Sequence, residues 1–187
     1  MKSNKKRSIY IAITVIILIL LGLGIMSLGN ARKSTRRVEC LSTLRSICLS
    51  FRMYCDENKG SLPADLSLLG KGGYLDNKKF FICPWDNKVP GDWANIKEWT
   101  DYVYIPWQST TGVYEKYPLM YDRRLSNHGG KGINVLLVEQ IVHPAVPPSP
   151  ESFHGQFFWD ENAQWLQKFA KEHPELNIPL PEDLHKK

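Results

Sequence analysis

Three polar residues fall near the ends of predicted strands, where side chains from distant parts of the chain can meet. They are Asp122, His128 and Glu139. A histidine with two carboxylates can bind a metal ion or act as a general base. None of the three belongs to a known catalytic or metal-binding motif, and such sets are more often structural. We therefore predict no catalytic residue, metal or cofactor: a turn begins at Asp122, His128 lies in a glycine-rich loop, and Glu139 ends a strand.

The four cysteines suggest a disulfide or a buried cluster. They are Cys40, Cys48, Cys55 and Cys83. On a continuous helix the first three would be about 10 to 12 Å apart in sequence order, beyond the roughly 7 Å limit for a bridge. Only Cys83 can then find an intrachain partner, and helix-face matching admits any of the other three. Cys48 and Cys55 are interpreted as small buried hydrophobes, and the absence of C-x-x-C spacing argues against a zinc knuckle.

Tryptophan is the other residue type that could bind a ligand. The six tryptophans are Trp85, Trp93, Trp99, Trp107, Trp159 and Trp165. Exposed tryptophans can stack on sugars or enter grooves on a partner, whereas buried ones supply large apolar surfaces to a core. We predict core or subunit contacts, with ligand contact as the alternative.

A long apolar run near the N-terminus indicates that the rest of the chain is anchored to a membrane. Residues 8–31 contain no Asp, Glu, Lys or Arg and follow the basic stub 1–7. A helix of this length spans about 36 Å, more than a bilayer core of about 30 Å. Signal peptides have shorter apolar regions of about 7 to 15 residues. We predict an uncleaved anchor in the inner (cytoplasmic) membrane, with the N-terminus inside and the head extracytoplasmic.

Helical periodicity continues after the apolar run and ends near Glu57, before Gly60 and Pro63. Its apolar stripe is Leu41, Leu44, Cys48, Phe51 and Cys55. Short strands are predicted over residues 80–83, 102–105, 118–121 and 133–138, the last being central. The prediction is an α+β fold, in which a long N-terminal helix with a membrane half and an amphipathic half packs on a small antiparallel sheet.

The C-terminal part has a different composition. Four prolines among residues 144–150 predict an extended linker. A helix is predicted over residues 160–173, with Asp160 as its cap, and loosely ordered chain from Pro174 to Lys187. The predicted divisions are a basic stub 1–7, a transmembrane helix 8–31, a head 32–143 that includes the amphipathic half of the long helix, and a linker with helical extension 144–187.

Charge argues against nucleic-acid binding. The 24 basic residues include eight that flank the apolar run, so the 19 acidic residues outnumber the 16 basic ones after Arg37. A nucleic-acid reader needs a basic face to displace counterions from phosphates. The predicted head lacks that surplus.

Several segments match a family pattern in order: residues 37–47, Tyr54, residues 60–63 and residues 81–84. Together they resemble pilin-like proteins with an H-x9-DG C-terminal signature, relatives of type II secretion pseudopilins. The usual order there is an arginine-rich segment, C-x-x-N-L, a tyrosine, a turn with L-P, and later C-P. Residues 118–122 and 128–137 resemble the segment around the family's histidine and the strand after it.

Two departures accompany the resemblance. Glu139 and Gln140 replace the signature's aspartate and glycine, and no glutamate precedes Glu39, so the prepilin cleavage motif is not matched. The family's recurring cysteines correspond to Cys40 and Cys83. The resemblance therefore implies a disulfide between these two residues.

The resemblance implies a non-enzymatic, membrane-anchored minor subunit or assembly factor of a type II secretion or type IV pilus-like system. Its partners would be the lipid bilayer and other pilin-like or secretion-system subunits, contacted through the long helix. The alternative is a tethered extracytoplasmic module that binds a glycan or peptide through loop aromatics. A metal-dependent hydrolase using His128 is the third and least favoured hypothesis.

Overall fold

The computed structural model of this chain of 187 residues describes residues 2–106, 116–140 and 153–184. They form two compact units, residues 1–35 and 36–187. Helix α1 (Lys2–Glu57) begins in the first unit and ends in the second. The second unit also contains three shorter helices, α2 (Ser67–Lys71), α3 (Ile96–Trp99) and α4 (Gln164–Glu172). Its strands are β1 (Tyr102–Tyr104), β2 (Lys116–Asp122), β3 (Gly132–Gln140) and β4 (Phe153–Glu161).

The fold prediction requires a correction at the N-terminal helix. A membrane span needs about 20 consecutive apolar helical residues. Within the described residues, no helix is long and apolar enough to cross a bilayer. The prediction that half of a long helix lies in the membrane is therefore wrong. The predictions of a transmembrane helix over residues 8–31, of a signal anchor and of a single-pass inner-membrane location are wrong for the same reason. The helical segment that belongs to the folded head runs from Arg36 to Glu57.

The chain is α+β, with a four-stranded antiparallel sheet in the order β1, β2, β3, β4. Strand β3 is interior and every described side chain from Ile133 to Leu137 is buried, as its apolar run predicts. The pairing of β2 with β3 shifts register between Pro118 and Met120. Proline cannot donate to the ladder, so a proline in an interior strand is expected at such an irregularity.

Successive side chains of a strand point to opposite faces of the sheet. Apolar side chains on both faces of this sheet are buried in hydrophobic cores. On one face, Met120 and Leu136 share a core with Leu44 and Phe51 of α1. The other face carries a second core, which includes residues of α4. Its strand residues are Tyr121, Ile133, Val135 and Leu137, and its helix residues are Leu166 and Phe169.

The amphipathic part of α1 packs close to its predicted register. Cys40, Leu44, Ile47 and Phe51 are fully buried, whereas the predicted stripe residues Leu41 and Cys48 are only half-buried. The helix ends at Glu57, and Gly60, with a φ of 78°, donates its N–H to the Cys55 carbonyl. Glycine accepts this left-handed conformation without the steric penalty of a Cβ atom.

Two local predictions differ from the structure. Residues 78–81 form a 3-10 turn instead of the strand predicted over 80–83, because Asn77 accepts a hydrogen bond from the Lys79 N–H and starts a turn. Strand β4 was not predicted, although all nine of its residues pair with β3. The C-terminal segment was predicted to be loosely ordered, but part of it is hydrogen-bonded to the rest of the second unit. The Glu182 N–H donates to the Arg123 carbonyl, and Asp183 accepts from the backbone N–H groups of Leu125 and Ser126. The predicted linker 144–150 lies outside the described residues.

Candidate functional site

Asp122 is the centre of a buried polar cluster at the end of β2. Its carboxylate is fully buried and accepts hydrogen bonds on both oxygens. Oδ1 accepts from the Cys40 thiol at 3.1 Å. Oδ2 bonds His128 Nε2 at 2.8 Å and accepts from the Asn134 backbone N–H at 2.6 Å and its side-chain amide at 3.2 Å. A buried carboxylate needs such donors to offset its desolvation.

Two thiols complete the cluster, and both are fully buried and free. Cys40 enters from α1, and its Sγ lies 3.1 Å from the Tyr102 hydroxyl on β1. Cys83 follows the 3-10 turn, and its thiol lies near that of Cys40. The neighbouring Cys83 thiol raises the pKa of Cys40, as do burial and the nearby Asp122 charge. The neighbouring Cys40 thiol lowers the pKa of Cys83, which a backbone hydrogen bond with Trp85 also favours.

His128 ends the 3-10 turn Leu125–His128, directly before two glycines with positive φ. Burial lowers its pKa, but the hydrogen bond and negative charge of Asp122 outweigh burial, so the pKa is raised overall. Its ring packs edge to face on Trp159, with centroids 5.4 Å apart. Within the described residues, His128 Nδ1 is buried without a hydrogen-bond partner.

A second carboxylate, Asp101, fixes the loop that carries Cys83. Its Oδ2 accepts from the Cys83 backbone N–H at 2.9 Å. Its Oδ1 pairs with Lys88 at 2.6 Å and with Arg124 at 2.7 Å. Because Asp101 is fully buried, these contacts fix both the loop and the start of β1.

The structure brings together some of the predicted site residues. Asp122 and His128 are in direct contact, and Cys40 and Cys83 join them as thiols, so a disulfide between those two stays a prediction. Glu139 lies elsewhere: its backbone pairs with Lys116, at the opposite end of β2 from Asp122.

Sequence reasoning missed Asn134, although a signal for it existed. It interrupts the apolar run of β3, and a polar side chain in a buried strand requires a partner. That partner is Asp122, which Asn134 contacts through both its backbone and its side-chain amide.

The tryptophans proposed as ligand contacts lie against the core. Trp93 and Trp99 both pack edge to face on the buried Phe81, with centroids 5.6 and 6.5 Å apart. The Trp99 indole N–H donates to the Asp92 carbonyl at 2.9 Å. A Cβ atom on Gly70 would lie 2.3 Å from the Trp93 ring, so the backbone of α2 at this glycine packs directly against the tryptophan. Trp85, at 39 % exposure, is the more accessible one.

Chemically, the cluster joins thiol, carboxylate and imidazole groups in one closed place. Such groups could relay a proton or coordinate a cation. The two thiols and Asp122 have no exposed surface, so a substrate could reach them only if the surrounding structure opened.

Family models, curated proteins and solved structures yield no match to this chain.

Proposed function

We propose that this chain is a non-enzymatic subunit or assembly factor of a pilin-like machine, and that copies associate through the N-terminal apolar part of α1. The observation that carries the proposal is the exposure of large apolar side chains along this helix. From Ile13 to Leu21 these side chains are 47 to 62 % exposed. They are Ile13, Val15, Ile16, Ile17, Leu18, Ile19, Leu20 and Leu21.

These side chains point to all sides of the helix. Successive residues turn by about 100°, so the nine positions complete more than two turns. A helix that is apolar on every side is stable when apolar surface surrounds it. One neighbouring helix can cover only one side, and this favours an assembly with more than two copies.

Burial of these side chains would supply substantial free energy. Each large aliphatic side chain that becomes buried contributes about 1.5 to 3 kcal/mol. Gly22 adds a place for close approach, because nothing lies within 4 Å of the position where its Cβ would be. Small residues allow helix backbones to approach closely.

The head supports a structural role over a catalytic one. The groups with reactive chemistry, Cys40, Cys83 and Asp122, are enclosed in the core of the second unit. Their hydrogen bonds link α1 to β1 and β2, as expected for a cluster that holds the head together. The resemblance to pilin-like proteins supplies the proposed class of machine.

Co-purification of two differently tagged full-length copies tests the association. We expect two unmodified copies to co-purify. The double variant Ile16→Lys, Leu20→Lys should capture much less of its partner copy. Residues four apart lie on one helix face, so the two lysines disrupt a single contact surface. The matched control is Val89→Lys, because Val89 is an apolar residue of the head that is already 84 % exposed. Capture that is equal in all three proteins would overturn the proposal.

A further inference from the structure

We propose that four buried side chains in the core of the second unit form a tetrahedral site for a divalent cation, with zinc as the best fit. They are Cys40, Cys83, Asp122 and His128. This inference concerns the head alone and does not depend on association through the N-terminal helix.

The donor types fit zinc chemistry. Zinc binds thiolate sulfur, imidazole nitrogen and carboxylate oxygen, and its structural sites have four ligands in tetrahedral geometry. Two thiols with one imidazole and one carboxylate provide that number. Thiolates also disfavour magnesium and calcium, which prefer oxygen ligands.

The distances fit for three of the four donors. The Cys40 sulfur, one carboxylate oxygen of Asp122 and one ring nitrogen of His128 all lie within 4.8 Å of one another. Zinc bond lengths of about 2.0 to 2.3 Å place tetrahedral ligand atoms about 3.3 to 3.8 Å apart. The Cys40 sulfur and Asp122 Oδ1 are 3.1 Å apart. Cys83 is not part of this mutually close set of three, although its thiol is near enough to that of Cys40 to shift its pKa. Three donors are therefore already in place for a cation, and the Cys83 side chain would complete the tetrahedron by moving toward it.

The surroundings provide support outside the four ligands. Asn134 donates two hydrogen bonds to Asp122 Oδ2, which fixes the carboxylate while Oδ1 faces Cys40. Ligating carboxylates and histidines in metal sites are usually oriented by such hydrogen bonds. His128 also has a buried ring nitrogen, Nδ1, without a partner among the described residues. Either ring nitrogen could therefore serve as the ligand while the other keeps or gains a proton.

Binding exchanges protons for the cation. Each of the two thiols loses a proton to solvent and coordinates as a thiolate, whereas Asp122 coordinates as a carboxylate and His128 as a neutral imidazole. No group changes its oxidation state. The same thiols could instead form the disulfide that the family resemblance implies. The metal site and the disulfide are mutually exclusive uses of Cys40 and Cys83.

The test is a titration of the reduced, metal-free full-length chain with Co²⁺, followed by displacement with Zn²⁺. We expect one cobalt per chain, visible bands of tetrahedral intensity and a near-ultraviolet thiolate-to-cobalt band, all of which zinc abolishes. Cys83→Ser should weaken binding by at least about 100-fold, since second-shell changes alone cost about 10- to 100-fold. Cys48→Ser is the matched control, because this half-buried thiol of α1 is outside the cluster.

The unmodified chain keeps the proposal falsifiable if a cysteine variant fails to fold. Absence of stoichiometric cobalt binding by the reduced chain would overturn it, as would a cobalt spectrum without the thiolate band. Equal affinity in Cys83→Ser and in the Cys48→Ser control would also overturn it.

Discussion

Cys40 Sγ and Asp122 Oδ1 lie 3.1 Å apart although 82 positions separate them in the chain. The contact joins α1 to the end of β2 inside the core. Asp122 also binds His128 and Asn134, so one carboxylate connects the helix, the 3-10 turn and β3. A polar group at this position has a large structural effect, because each of its partners is buried with it.

The first prediction concerns this carboxylate. Asp122→Asn replaces an acceptor of several hydrogen bonds with an amide whose NH2 group must face a donor. We expect the free energy of unfolding to fall by about 2 kcal/mol or more. Urea unfolding followed by fluorescence measures the change. The control Asp56→Asn alters an exposed aspartate near the end of α1 and should change stability by less than about 0.5 kcal/mol. Equal effects of the two substitutions would contradict the role of Asp122.

The second prediction concerns the close approach of α2 to Trp93. A Cβ atom at position 70 would lie 2.3 Å from Trp93 Cε2, so Gly70→Ala should destabilise the head by about 1 to 3 kcal/mol through overpacking. In a Trp93→Leu background the clash is removed. There the same substitution should be neutral or slightly stabilising, because alanine is the better helix former.

A double-mutant cycle in urea measures the coupling of Gly70 and Trp93. A similar penalty for Gly70→Ala in both backgrounds would show that Trp93 does not occupy the space above the glycine.

The third prediction concerns acid stability. Asp183 accepts hydrogen bonds from the Leu125 and Ser126 N–H groups at 2.7 and 2.8 Å. Burial alone would raise its pKa, but the hydrogen bonds with Ser126 and Leu125 lower it overall. A carboxyl group with a lowered folded-state pKa stabilises the fold above its unfolded pKa of about 3.9. That stabilisation is lost as the pH falls through the folded-state value.

Asp183→Asn tests the sign of this effect. We expect the variant to be less stable than the unmodified chain by about 1 kcal/mol at neutral pH. The gap should begin to close as the pH falls below about 4, where the carboxyl group of the unfolded chain takes up a proton, and should be gone once the pH is below the lowered native pKa. Urea unfolding at a series of pH values measures the gap, and a gap that stays constant down to pH 3 would contradict the account.

Regular patterns allowed part of the fold to be predicted. The apolar run of β3 indicated a buried interior strand, and the three- and four-residue steps of Leu44, Cys48 and Phe51 indicated one helix face. Strand β4 was missed because Phe157, Phe158 and Trp159 are consecutive aromatics without the period-two alternation of a half-buried strand. The tail was missed because its attachment depends on side chains such as Asp183 that bond distant backbone.

The site could be predicted only in part for a related reason. Asp122 and His128 are six positions apart, and their predicted positions near the ends of neighbouring strands suggested that they could meet. Cys40 and Cys83 reach them only through the packing of α1 and the loop fixed by Asp101. Spacing along the chain does not encode contacts over such separations. The apolar N-terminal run was assigned to a membrane from its length and lack of charge, and that assignment is corrected by the described helix.

Sedimentation equilibrium of the full-length chain, of 21.5 kDa, tests the association most directly. The account predicts a weight-average mass that rises with protein concentration above the mass of a dimer. It also predicts that Ile16→Lys with Leu20→Lys shifts this rise to higher concentration, whereas Val89→Lys leaves it unchanged. A mass that stays at the single-chain value over the whole concentration range would contradict the account.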